Sequence, residues 1–168
     1  MAIIKADFHS IRPAATAMIV LWNAAVLRPG HGPAPWGEHE CDWEEVLGRF
    51  GWTARRRQLL DGLAEAIELL GAAGCRRLWL DGSFVTTKDE PADFDACWDT
   101  DGIDMDALAP VLLDLSKGRA AQKARFGGEF LPNVVETGSG LVFKEFFQNE
   151  RDVGVKASLS SRSECHDH

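Results

Sequence analysis

Leu78-Trp79-Leu80-Asp81-Gly82-Ser83, then Phe84 to Pro91, then Asp93-Phe94-Asp95-Ala96-Cys97-Trp98, is the stretch on which the reading of this chain turns. Its first part reads as a buried strand that ends at Gly82, and its last part as a second short strand carrying carboxylates at i and i+2. Side chains alternate faces along a strand, so Asp93 and Asp95 point one way while Phe94 and Ala96 point into the packing. Two carboxylates on one face repel each other unless a cation lies between them. A divalent metal is the economical expectation, and Mg²⁺ suits carboxylate and phosphate oxygens. Gly82 and Ser83 add small side chains and backbone N–H groups, a suitable cradle for phosphate.

A chain of 168 residues fits one domain with a sizeable core, and its apolar and charged contents are those of a folded soluble protein. Cys41, Cys75, Cys97 and Cys165 are widely spaced without a CxxC pair, which argues against structural zinc and for a reduced, cytoplasmic setting. The net charge is −8, and the stretch from Asp81 to Asp106, with nine acids and only Lys88 as a base, carries all of it. Acidity therefore concentrates around the carboxylate pair, and the global charge does not argue against nucleic acid as a partner. The acids from Asp99 to Asp106 read as a solvated turn and helix start.

Outward from this centre, the apolar, Ala-rich run Ala14 to Leu27 reads as a helix packed on the domain or on a partner. It is too short to span a bilayer. Lys5 and Arg12 ahead of it also fit a secretion signal, a reading the cytosolic character of the rest disfavours. Residues 28–40 are rich in Pro, Gly and His and read as an extended loop. His31 and His39 are either ligands or bases, or loop residues with satisfied contacts, and the second reading is preferred. The division is then an N-terminal helix and loop over residues 1–40, the main domain over 41–159 and a frayed tail over 160–168.

Asp42 to Phe50 reads as a short helix, and Thr53 as the N-cap of a longer one with its stripe at Leu59, Leu60, Leu63, Ile67 and Leu70 and its end at Gly74. Arg55, Arg56 and Arg57 open that helix against its dipole, as a solvated face or as a phosphate contact, the former preferred. Asp104 or Asp106 is expected to cap a helix to Ser116 with Leu108, Val111, Leu112 and Leu115 buried. Lys117, Arg119, Lys123 and Arg125 form a basic patch without an acid, and an anionic acceptor such as RNA is the partner it suits. Glu129 sits in an apolar strand, Phe126 to Pro132, where an unpaired carboxylate is costly. Leu141 to Gln148 reads as a core helix and Val155 to Leu159 as a last strand. Alternating strands and helices make the fold class α/β, a small mixed sheet flanked by helices.

The strand, the Gly82-Ser83 turn, the gap of about ten residues and Asp93-Phe94-Asp95 between apolar residues together resemble the nucleotidyltransferase superfamily of the polymerase-beta type. Gly82-Ser83-Phe84-Val85-Thr86 with Pro91-Ala92-Asp93-Phe94-Asp95 is similar to small bacterial nucleotidyltransferase-like proteins of toxin–antitoxin and phage-defence settings, over about Phe50 to Leu159. The resemblance implies transfer of a nucleoside monophosphate from an NTP to an acceptor hydroxyl, with release of pyrophosphate. Gly82 and Ser83 would hold the β- and γ-phosphates, and Asp93 and Asp95 would bind Mg²⁺. Glu129 would be the third metal-binding and catalytic carboxylate, unless it serves a salt bridge with Arg125 or Lys144. The acceptor is a tRNA or other RNA end, a protein side chain or a small molecule, and an antitoxin or toxin partner is implied. The alternative is a non-catalytic or antitoxin-like binding protein that keeps the shape.

Overall fold

The computed structural model describes residues 18–22 and 38–134. Five strands form one mixed sheet: β1 (Met18–Trp22), β2 (Glu38–Cys41), β3 (Arg77–Asp81), β4 (Asp95–Trp98) and β5 (Glu129–Pro132), in the order β2-β1-β3-β4-β5. β1 runs parallel to β3 and β4 parallel to β5, while β2 is antiparallel to β1 and β3 to β4. Four helices accompany them among the described residues: α1 (Trp43–Phe50), α2 (Ala54–Ala72), α3 (Pro110–Leu113) and α4 (Ala120–Phe126). The protein is thus a small mixed α/β fold. No helix among the described residues is long and apolar enough to cross a membrane.

The pleat divides the sheet into two faces. Ile19, Leu21, Leu78, Leu80, Ala96, Trp98 and Phe130 lie on one face and join Val46 and Phe50 of α1 and the Leu59, Leu63 and Ile67 stripe of α2 in the main core. Val20, Trp79 and Cys97 lie on the other face in a small second cluster. α1 starts at Asp42, whose carboxylate accepts from the Glu45 N–H, and α2 starts at Thr53, whose hydroxyl accepts from the Arg56 N–H. Both are the side-chain caps that short polar residues provide.

Several expectations give way here. The run expected as a helix over Ala14 to Leu27 contains β1, paired on both sides, with Ile19, Val20 and Leu21 buried. The apolar triplet serves as an interior strand, which buries both faces and so carries no alternation to betray it. The loop expected over residues 28–40 contains most of β2, His39 included. The helix expected from Asp104 to Ser116 shrinks to α3, with Pro110 in its first turn. Leu108 and Leu112 are buried, but Leu115 is exposed. Upstream, the Asp104 carboxylate accepts from the backbone of Asp106 and Ala107, closing a local turn instead of capping a helix. The basic stretch holds a helix, α4, so that Phe126 ends a helix and the expected strand begins at Glu129. His31, Lys144, Cys165, the segments 141–148 and 155–159 and the tail lie outside the described residues.

The three arginines of α2 are neither a solvated face nor free for phosphate. Arg56 is fully buried. Its guanidinium donates to the carbonyls of Phe84 (2.8 Å), Thr86 (2.7 Å) and Lys88 (2.6 and 3.0 Å) and lies 3.7 Å from the centre of the Trp52 ring. Arg55 donates to the carbonyls of Pro91 and Ala92, and Arg57 to that of Gly51. Thr53 and Trp52 hold Asp89 through its carbonyl and its carboxylate. Together these residues fasten the connection between β3 and β4 to the start of α2. Burial pulls the Arg56 pKa down to about 10, with Asp89 opposing, so the side chain is charged at neutral pH.

Loss of this fork leaves buried carbonyls without donors. Arg56→Met is expected to lower the unfolding free energy in urea titrations by about 3–5 kcal/mol, the cost typical of breaking a buried charged network. Arg56→Lys recovers only part, because an ammonium lacks the planar fork. A loss under about 1 kcal/mol for Arg56→Met would contradict the clamp.

Candidate functional site

Asp81, Asp95 and Glu129 are register partners on three adjacent strands. They alternate with the main-core residues of β3, β4 and β5, so all three carboxylates stand on the face away from the main core. Asp93 precedes β4 and reaches this group from the connection, two residues before Asp95. The expected strand from Asp93 therefore starts two residues later, although Phe94 points into the core as the alternation requires.

Gly82-Ser83, the two aspartates Asp93 and Asp95, and Glu129 each adjoin an aromatic residue in sequence. Phe84 follows Gly82-Ser83, Phe94 lies between the aspartates and Phe130 follows Glu129. Their rings form a continuous row: Phe50 to Phe84 5.4 Å, Phe84 to Phe94 6.1 Å, Phe94 to Phe130 5.3 Å and Phe130 to Phe126 5.5 Å between centroids. Edge and tilted contacts of this kind add to the burial energy and restrict ring position. Gly82 has φ +85°, and a Cβ on it would run into the Asp95 carboxylate, so glycine is what lets the turn and the carboxylate lie together. Ser83 opens a short 3₁₀ turn to Val85, closed by the Thr86 hydroxyl donating to the Ser83 carbonyl at 2.6 Å.

Burial first, then the neighbouring Asp93, Glu129 and Asp81, together raise the Asp95 carboxyl to about pKa 6 against the opposing Lys123. The group thus carries more negative charge than its own surroundings neutralise. Two members of the basic patch do belong to it. Arg119 pairs with Glu129, and the Lys123 ammonium lies 2.5 Å from the other Glu129 oxygen and 3.6 Å from Asp93. Lys123 is held above its ordinary pKa, chiefly by the Glu129 hydrogen bond. Arg125 points elsewhere, onto Glu65 of α2 at 2.7 Å. Lys117 lies in the left-handed turn Lys117-Gly118-Arg119 (φ 48°, 63° and 60°) that delivers Arg119 to Glu129. The salt bridge weighed for Glu129 exists, but with Arg119 and Lys123 in place of Arg125. Gln122, fully buried, accepts from the Phe130 N–H at 2.7 Å and donates to the Leu112 carbonyl at 3.2 Å, which fixes α4 against β5.

A cleft of about 430 Å³ opens beside this group between α2, α4 and the Ala92-Asp93 segment. Arg55, Asp61, Glu65, Asp93, Lys123 and Arg125 line it. Among the described residues no three His, Cys, Asp or Glu side chains converge on one ion position. The donor set still fits Mg²⁺ in kind: oxygen only, crowded, and under-neutralised at Asp95. Mg²⁺ commonly takes one or two carboxylates and completes its shell with water and substrate phosphate. Asp93 and Asp95 are the residues that would hold it, whereas both Glu129 oxygens already have cationic partners.

The match to a family model runs over residues 28–159, most of the chain. The chain belongs to the family of unknown function DUF6932. No curated protein and no solved structure matches it significantly. In this DUF6932 chain the matched span takes in Gly82, Ser83, Asp81, Asp93, Asp95 and Glu129 together with the Arg56 clamp.

Two contributors escaped the reading of the sequence. Asp81 joins the carboxylate row, and the signal was its place two residues after Trp79, in phase with the face that carries Asp95. Arg56 was signalled by a cation at a helix N-terminus, where the dipole makes it unfavourable without nearby acceptors.

The raised Asp95 pKa sets a pH dependence. The folded state holds the proton up to about pH 6, above the unfolded value of 3.8, so the group's contribution to stability falls as pH rises between them. Asp95→Asn removes that loss. In metal-free buffer the variant is expected to melt higher than the parent at pH 7.5, with the difference vanishing near pH 4. A parent at least as stable as the variant at pH 7.5 would contradict the crowding of these carboxylates.

Proposed function

We propose that this chain is a metal-dependent nucleotidyltransferase that moves a nucleoside monophosphate from an NTP to an acceptor hydroxyl. The observation that carries the reading is the register of Asp81, Asp95 and Glu129 beside the Gly82-Ser83 turn, with Asp93 joining from a clamped connection. Strand, small-residue turn, paired aspartates and a third carboxylate on the neighbouring strand stand in the order the resemblance implies.

Each residue then has a task. Asp93 and Asp95 hold Mg²⁺, which when bound supplies charge neutralisation on the phosphates. Gly82 and Ser83 offer backbone to the β- and γ-phosphates at a point where no Cβ intrudes. Glu129, held by Arg119 and Lys123, stands beside Asp95 as the carboxylate facing the acceptor hydroxyl. The cleft lined by Asp93 and Lys123 is the open approach to this group, and an acceptor enters there. An RNA end remains within the proposal as acceptor, with a toxin–antitoxin setting. The basic patch supports that less than its sequence does, since Arg119, Lys123 and Arg125 are committed to Glu129 and Glu65.

A second reading has its own observation. Both oxygens of Glu129 are occupied by cations of the chain, which suits a binding protein that keeps the shape without the chemistry. Two measurements separate the readings. With Mg²⁺ and an NTP, a functional site raises the melting temperature by linkage, and a degenerate one leaves it unchanged. With each labelled NTP and a cell extract, the parent is expected to label a product, and Asp93→Asn and Asp95→Asn each to lose at least 100-fold. Labelling that survives in both variants would remove Asp93 and Asp95 from the function.

A further inference from the structure

We infer that Lys123 is the built-in second cation of this site, so that the chain takes a single divalent ion on Asp93 and Asp95 while the Lys123 ammonium fills the place of another. The inference rests on the proposed function and deepens it by assigning Lys123 to the site's charge in place of the acceptor patch.

Geometry carries the argument. The Lys123 ammonium lies 2.5 Å from a Glu129 oxygen and 3.6 Å from an Asp93 oxygen, so it bridges carboxylates supplied by two different segments. Sites that use two ions keep them about 3.5–4 Å apart, bridged by shared carboxylates. An ammonium in the bridging position disfavours a second ion beside it, because like charges at such separation repel. Arg119 pairs with the other oxygen of Glu129, so both oxygens of that carboxylate already face a cation of the chain.

The neighbourhood is built to hold Lys123 in place. It sits in α4, whose Gln122 is buried between Leu112 and Phe130, and whose end packs Phe126 against Phe130. The Glu129 side chain it meets is only 9% exposed, while Lys123 itself is 43% exposed and lines the cleft beside Asp93. Lys123 is therefore fastened on its inner side and open on the side from which a phosphate or acceptor arrives. A fixed ammonium there neutralises developing phosphoryl charge without an ion that must be bound and released. Because the role requires a cation and not a lysine as such, arginine at the position preserves it.

The test is a titration of the full chain with Mn²⁺, free ion followed by its paramagnetic resonance signal, on the parent, Lys123→Met, Lys123→Arg and Asp95→Asn, each first shown to be folded by circular dichroism. The expected result is one ion per chain for the parent and for Lys123→Arg, two for Lys123→Met, and at least a tenfold loss of affinity for Asp95→Asn. Two ions on the parent, or one ion on Lys123→Met with unchanged affinity, would overturn the inference and leave the proposed function standing. No ion on the parent, with or without NTP, would overturn both.

Discussion

The guanidinium of Arg56, buried and donating to the carbonyls of Phe84, Thr86 and Lys88, is the interaction on which the arrangement depends. The connection it grips leaves β3 at Gly82 and enters β4 at Asp95, and it contains little secondary structure of its own. A segment of that kind must satisfy its inward carbonyls or lose them to water. One arginine meets three of them, Arg55 meets two more, and Thr53 takes a sixth at Asp89. The start of α2 therefore fixes the positions of Gly82-Ser83 and Asp93 relative to each other across a gap the sheet ladder does not hold. Arginine at a helix N-terminus, unfavourable to the dipole, is compensated by those carbonyls.

Upon this frame the charges are arranged by the sheet. Register places Asp81, Asp95 and Glu129 side by side, and the contacting rings of Phe84, Phe94 and Phe130 tie the turn after β3 and the entry to β4 to β5. Burial, with the neighbouring carboxylates adding to it, raises the pKa of Asp95. α4 answers with Arg119 and Lys123, and the left-handed turn at Lys117 to Arg119 is the conformational cost of aiming the first of these at Glu129. The site thus combines crowded acid, local base and a glycine turn, with an open cleft reaching it at Asp93 and Lys123.

Local signals made the centre of the fold legible. Thr53 announced its helix because a short polar side chain before an apolar stripe caps a helix, whereas the cap at Asp42 was read as the helix's first residue. β3 and β4 were legible because Gly82 ends one apolar run and carboxylates alternate into the next. β1 was not, because Ile19, Val20 and Leu21 are buried on both faces and show neither period. The helix after Asp104 was overextended because Leu115 fits the helical stripe, yet the chain turns at Asp114, whose carboxylate binds the Ser116 N–H and hydroxyl. Partners across the fold were not legible at all. Glu129 was read as a third metal carboxylate or as a salt-bridge partner of Arg125 or Lys144; among the described residues it meets Arg119 and Lys123 while Arg125 meets Glu65, since ion pairing follows the docking of α4 and not distance along the chain.

The account's central claim is that Asp93 and Asp95 hold a divalent ion beside a phosphate-binding turn at Gly82-Ser83. The most direct measurement is a crystal structure with Mn²⁺ and a non-hydrolysable NTP analogue, with the ion located by anomalous scattering. The account predicts a Mn²⁺ peak within ligand distance of both aspartates and the triphosphate lying along Gly82 and Ser83. A nucleotide bound elsewhere, or Mn²⁺ absent from these two carboxylates with the nucleotide in place, would contradict it.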